Sequence, residues 1–156
     1  MPTGAPVGLF TGEEKVELPG VAEDSAAFEA VMAAYALPKD SDAQVEARTV
    51  AIAAAYRVAT QTPLQAARAA AEVSELARTA AEIGNRNAIS DAASATHLAR
   101  ASLTAAAHNV RINAGELADR EEAAAWLAEV DRLQARAEEA VAGVEALVKA
   151  RHAGAQ

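Results

Sequence analysis

The chain has 156 residues, 52% of them hydrophobic but only 3% aromatic, and 46 are alanine. Alanine is the best helix former, and a strand-based fold would need more Val, Ile, Thr and aromatic residues, so one helical domain is expected. The lack of cysteine excludes disulfides, thiolate metal sites and cysteine nucleophiles, and a formal charge of −8 makes nucleic acid and anionic membranes poor partners.

Residues 1–20 carry Pro2, Gly4, Pro6, Gly8, Gly12 and Pro19-Gly20, which predicts an irregular arm ahead of a single helical domain over 21–152. No basic stretch followed by an apolar run opens the chain, and no run of about 18 uncharged apolar residues occurs. The expectation is a cytoplasmic protein with no membrane partner. A first helix is predicted from Asp24 to Leu37, capped by Asp24 or Ser25 and ended by Pro38. Phe28, Val31, Met32 and Tyr35 form its apolar face. Ser41 to Gln44 has capping-box spacing and opens a second helix reaching about Thr60, with Val45, Ile52 and Tyr56 among its apolar positions.

Thr62-Pro63-Leu64-Gln65 reads as another start. Thr62 suits the N-cap, Pro63 the first helical position, and Gln65 completes the box. That third helix runs to Ile83 and stops at Gly84. Gly84-Asn85-Arg86-Asn87 connects to a fourth helix over about 88–113, and Asp119 to Glu122 opens a fifth. In the fifth, Trp126, Val130, Leu133, Ala137, Ala140, Val144 and Leu147 alternate by four and three, a seam suited to packing along another helix of a bundle. The fold expected is an all-α bundle of about five helices.

On the fourth helix, His97, Arg100, Thr104, His108 and Arg111 share one stripe opposite Ala92, Ala99, Leu103, Ala106 and Val110. The stripe is expected to face solvent. Its two histidines are about 16 Å apart along the axis, too far to share a metal, and no metal site is expected. Asp91, Asn109 and Asn113 lie on the flank of the apolar face, where polar side chains need partners. Asp91 also falls in the first turn, where a carboxylate favours the helix dipole. Asp91 and Asn109 are about 27 Å apart on a straight helix, so they cannot line one small pocket within one subunit. Lys39 follows Pro38 in a loop, ahead of Asp40 and Asp42.

Three stretches carry a resemblance. Glu23-Asp-Ser-Ala-Ala-Phe running into Leu37-Pro-Lys39, Thr62-Pro63 continuing to Gly84-Asn-Arg-Asn-Ala-Ile-Ser-Asp-Ala92, and Asn109-Val-Arg-Ile-Asn113 occur in this order. Together they resemble the folate cyclodeaminase/cyclohydrolase family over roughly residues 22–150. The resemblance implies an all-helical, homodimeric enzyme of tetrahydrofolate one-carbon metabolism, with a tetrahydrofolate derivative as substrate and no cofactor beyond it. One activity would hydrolyse the methenyl bridge to formyl-tetrahydrofolate. The other would close formimino-tetrahydrofolate with loss of ammonia. Both pass through a tetrahedral carbon between two folate nitrogens and need proton transfer.

Carried over position by position, the resemblance implies Asp91 as the acid/base group and Lys39 as an electrostatic or proton-transfer partner. It places Asp24, Asn85, Asn87, Asn109 and Asn113 on the substrate, with Arg111 weaker. The family's opening helix, Pro-Gly-Gly-Gly-Ser turn and small-residue helix have no counterpart in the first twenty residues. The alternative reading is therefore a non-catalytic, N-terminally truncated helical homologue acting as an interaction protein. Two pocket arrangements are open. The preferred one unites Asp91, Lys39 and the Gly84–Asn87 connector within one subunit, with the other asparagines tying down helix ends. The other shares the pocket across a dimer of antiparallel fourth helices.

Overall fold

The computed structural model describes residues 20–153, so the arm expected over 1–20 falls outside them except for Gly20. Four α-helices follow in order: α1 (Val21–Tyr35), α2 (Asp42–Ile83), α3 (Ile89–Ala114) and α4 (Arg120–Ala153), with a 3₁₀ turn (Arg86–Ala88) ahead of α3. Among the described residues no helix is long and apolar enough to cross a membrane.

The starts follow from local hydrogen bonding. Gly20 caps α1 with a φ of 91°, a left-handed conformation that suits glycine, and its N–H donates to the Glu23 carboxylate at 2.7 Å. The helix thus begins about a turn before the Asp24 or Ser25 cap expected from sequence. At α2, Ser41 Oγ accepts from the Gln44 N–H at 3.4 Å and Gln44 Oε1 accepts from the Asp40 N–H at 2.8 Å. Asp119 Oδ1 accepts from the backbone N–H groups of Glu121 and Glu122 and opens α4.

The bundle has four helices rather than five. The second and third expected helices are one helix of 42 residues with Pro63 inside it. Proline removes one intrahelical hydrogen bond and crowds the carbonyl four residues back, here that of Ala59. Asn113 on α3 donates its Nδ2 to the Ala59 carbonyl at 2.9 Å and takes the missing donor's place. A local start signal is therefore overridden by a tertiary hydrogen bond.

The helices run up, down, up and down. Val31 and Ala34 of α1 pack on Ala51, Ile52 and Ala55 of α2, so these two form an antiparallel hairpin. Ala67, Ala70 and Ala71 of α2 pack with Leu103 and Ala106 of α3 and with Leu133 and Ala137 of α4. Alanine on facing helices lets backbones approach closely, and the leucines fill the remaining space. Full burial of each such leucine contributes roughly 1.5–3 kcal/mol. The heptad seam of the last helix forms this core as expected, with Val130, Ala137, Ala140 and Val144 fully or nearly fully buried.

Charged flanks fix the register of α4. On its α2 side lie Arg57–Glu122, Arg68–Glu129 and Arg136–Glu75. On its α3 side lie His97–Glu145, Arg100–Glu138 and Arg111–Asp131. The α3 stripe expected to face solvent is exposed or half-buried, and three of its residues, His97, Arg100 and Arg111, also reach across to α4. Arg68 donates to Glu129 and holds that carboxyl below its usual range, and His97 does the same to Glu145.

The face of α1 also differs from the sequence reading. Ala27, Val31 and Ala34 are buried, whereas Phe28, Met32 and Tyr35 stay 64%, 54% and 41% exposed. Alanine-on-alanine contact brings α1 close to α2, and the larger side chains are displaced to its flank. The connector after α2 depends on Gly84, whose backbone is extended rather than left-handed. A Cβ there would sit 2.2 Å from the Ala80 carbonyl oxygen.

Two stability predictions follow from these contacts. Gly84→Ala is expected to lower unfolding free energy in urea by about 1–3 kcal/mol through that clash. Ser74 is fully buried, and its hydroxyl has no hydrogen-bond partner. Ser74→Ala is therefore expected to leave stability unchanged or raise it by about 1 kcal/mol.

Candidate functional site

The side chains best placed for chemistry meet where α1, the middle of α2 and the end of α3 converge. Asp24, Phe28, Met32 and Tyr35 of α1, Tyr56 of α2, and Asn109 and Asn113 of α3 line a cleft of about 340 Å³. Asp24 and Asn109 also border an adjoining opening of about 700 Å³ that takes in Thr62, Pro63 and Gln65. On the opposite flank of α1 lies a wider hollow of about 850 Å³ between α1 and α2, lined mainly by alanines.

The chain builds one wall of the cleft from an aromatic pair. The Tyr35 and Tyr56 rings meet edge to face, with centroids 6.3 Å apart and planes at 87°. Their hydroxyl oxygens are 3.5 Å apart. Arg48 lies over the Tyr35 ring at 5.3 Å from its centroid. The same guanidinium donates from Nε and Nη2 to the Tyr35 carbonyl, one of the unpaired acceptors at the end of α1. The hydrogen bond with Tyr35, partial burial and the nearby Glu116 charge disfavour the phenolate, and the Tyr56 hydroxyl is pushed up to about 12.

Asn113 is half-buried and held by its bond to Ala59. Asn109 and Asp24 are exposed along the cleft edge. The arrangement offers one carboxylate, two amides and two phenols around an apolar wall of Phe28 and Met32. It suits a flat ring whose edge carries hydrogen-bond donors and acceptors. Among the described residues no three acidic or histidine side chains come together as a metal ion would require.

The other sequence candidates lie elsewhere. Asn85, Asn87 and Asp91 sit at the opposite end of α3, all exposed. Asn85 Oδ1 accepts from the Asn87 N–H at 2.9 Å and so shapes the turn. Asp91 occupies the first turn of α3. Lys39 is exposed in the α1–α2 loop. Lys39 precedes α2 and the Gly84–Asn87 connector follows it, so the 42-residue helix holds them about 60 Å apart. The preferred single-subunit pocket of Lys39, Asp91 and this connector is therefore not formed. Of the expected set, the fold brings together Asp24, Asn109 and Asn113. Sequence reasoning missed Tyr35 and Tyr56 as a pair, because each reads as an apolar position of its own helix.

The helices that build this cleft lie in the part of the chain that has a family match. Residues 13–132 match the model of the Formiminotransferase-cyclodeaminase family. The chain belongs to this family. Within the family it is 46% identical over 117 residues to a methenyltetrahydrofolate cyclohydrolase of Methylorubrum extorquens. That alignment covers 75% of this chain and 56% of the relative, so the chain spans little more than half the relative's length. Among solved structures it is similar to the formiminotetrahydrofolate cyclodeaminase of Thermotoga maritima, with a TM-score of 0.69 and 27% identity. That match covers 82% of this chain and 60% of the other. The four-helix arrangement is thus similar to that of this cyclodeaminase.

The tyrosine pair yields a direct measurement. Tyr56 keeps its proton in the fold at pH values where an unfolded tyrosine, with a pKa near 10, loses it. The contribution of this group to stability is fully present below about pH 10 and is lost as pH rises towards about 12. Ultraviolet titration of the chain's two tyrosines should show one ionising near 12. Tyr35→Phe removes the hydroxyl partner and should return Tyr56 towards 10.

Proposed function

We propose that the chain acts on a tetrahydrofolate one-carbon derivative, either hydrolysing a methenyl bridge or closing a formimino group with release of ammonia. The observation that carries this reading is the convergence of Asp24, Asn109 and Asn113 on one cleft. The Asp24 and Asn109–Asn113 segments are far apart in sequence, and both carry family motifs. A folded pterin-like ring would lie against Phe28 and Met32, with its amino and N–H edge towards Asp24 and the asparagines.

In the hydrolytic reaction water adds to the bridging carbon and one carbon–nitrogen bond breaks, leaving a formyl group. In the cyclising reaction a ring nitrogen adds to the formimino carbon and ammonia leaves. Each needs a group that takes a proton from the attacking atom and gives one to the departing nitrogen. We assign that role to Asp91, with Asn85 and Asn87 beside it and Lys39 as a positive charge for the anionic substrate.

This assignment requires a second copy of the chain. Asp91, Ser94, Leu98, Asn109 and Ile112 fall on one side of α3, and Leu98 and Ile112 are 70% and 69% exposed. Two α3 helices laid antiparallel on that stripe would bury both apolar side chains. They would also set Asp91 of one copy beside Ile112 and Asn113 of the other, by symmetry about the helix midpoint. A homodimer is the form we propose, and the shared pocket is the arrangement it supports.

The test is the absorbance of methenyltetrahydrofolate with the purified protein, and ammonia release from the formimino compound. Decay faster than in buffer assigns the hydrolase; ammonia assigns the cyclodeaminase; neither overturns the reading. Asp91→Asn should lower turnover by about a hundredfold or more, the scale of a lost general acid/base. Asn109→Ala should raise KM by about tenfold, the worth of one hydrogen bond. Light scattering should give twice the chain mass. Mixed Asp91→Asn and Asn113→Ala chains should regain activity above that of either parent alone, and no recovery would place Asp91 outside a shared pocket.

A further inference from the structure

Pro63 is the most costly residue in the interior of α2, yet the helix is continuous across its position. Its consequence is chemical rather than only steric. With no N–H at position 63, the Ala59 carbonyl is left without its intrahelical donor. The donor it receives is Asn113 Nδ2, at 2.9 Å. Only the nitrogen of a carboxamide can donate to a carbonyl, so this bond settles which way round the Asn113 amide sits. Its Oδ1 is thereby left as the side chain's acceptor, on a residue that lines the cleft together with Asp24 and Asn109.

We propose that Pro63 is a positioning residue: by withholding its N–H it reserves the Ala59 carbonyl for Asn113 and so fixes the amide with Oδ1 offered to an N–H donor on the ring of a heterocyclic ligand. The ligand class rests on the folate reading above. The positioning itself rests on the bond between Asn113 and Ala59 and on the chemistry of proline. An alanine at position 63 would return an N–H to the helix. That N–H would share the Ala59 carbonyl with Asn113, weaken its hold on the amide and let the amide rotate more freely.

This gives an uncommon combination of effects. Pro63→Ala should leave the melting temperature unchanged or higher, because the helix regains a hydrogen bond and loses a crowded ring. It should nevertheless raise KM for methenyltetrahydrofolate by about tenfold, the worth of one correctly placed hydrogen bond. Asn113→Ala strips the Ala59 carbonyl of its partner and should lower the melting temperature. Adding Pro63→Ala to it should restore stability while leaving the KM no worse than in the single Asn113 variant, since both changes remove the same acceptor.

The Asn113 side-chain amide signal in a nitrogen–proton spectrum reads the orientation without any activity. In the wild-type protein it should be resolved and slow to exchange, and in Pro63→Ala it should move and exchange faster. The proposal is overturned if Pro63→Ala leaves that signal unchanged, if it leaves KM unchanged in an active protein, or if the two substitutions add. If the wild-type protein turns over neither folate compound, the folate reading fails. The amide signal and the melting-temperature cycle then still decide whether Pro63 holds Asn113.

Discussion

A carbonyl without its donor, in the middle of a 42-residue helix, organises the part of the molecule that carries the candidate site. Pro63 removes the hydrogen bond that Ala59 would normally accept, and a buried polar group left in that state is costly. The donor it receives is on another helix, at Asn113, close to the end of α3. Satisfying the carbonyl therefore ties α3 to α2 at one register. That register sets Asn113 and Asn109 opposite the N-terminal half of α1. The backbone defect and the polar edge of the cleft are thus joined by one hydrogen bond.

The remainder of the bundle is built to allow that register. Small side chains along α2, α3 and α4 give close contact but little shape to distinguish one sliding position from another, since alanine is nearly the same at every site. Specificity comes from the few larger residues, such as Leu64, Leu103, Val110 and Val130, and from the charged flanks of α4. Exposed ion pairs contribute little energy each. Here five of them, with the His97–Glu145 hydrogen bond, run along two sides of α4, and a slip by one turn would break several at once. Their role is to penalise the wrong register more than to stabilise the right one.

The same alanine packing explains the exposed aromatic side chains. α1 rests mainly on α2, through Ala27, Val31 and Ala34, so its larger residues have little further helix surface to bury against. Phe28 and Met32 become the wall of a cleft, and Tyr35 finds Tyr56 across the hairpin. On α3, Leu98 and Ile112 stand on the side that carries Asp91 and Asn109. Both features leave apolar surface beside polar groups, which is the composition of a binding surface rather than of a bare exterior.

Much of the architecture is legible in the residues taken alone. Alanine content gives the helical class, the four-and-three spacing from Trp126 to Leu147 gives the buried seam of α4, and Asp119 and Ser41 mark two helix starts by their own side-chain bonds. The motifs around Asp24, Gly84–Ala92 and Asn109–Asn113 point to the family, and Asp24, Asn109 and Asn113 do meet at one cleft. The rest depends on which helices touch. Thr62-Pro63 has every local mark of a helix start, but a donor 50 residues further along the chain makes the continuous helix affordable. Phe28, Met32 and Tyr35 have the spacing of a core face, but periodicity does not reveal that alanines beside them pack closer. Tyr35 and Tyr56 pair because the loop between α1 and α2 sets the hairpin register, and the distance between Lys39 and Asp91 follows from the unbroken length of α2. Local sequence determines conformation and amphipathic pattern, because those depend on neighbours within a turn or two. Which groups share a cleft is decided by packing between segments distant in the chain, where each buried polar atom must find its partner.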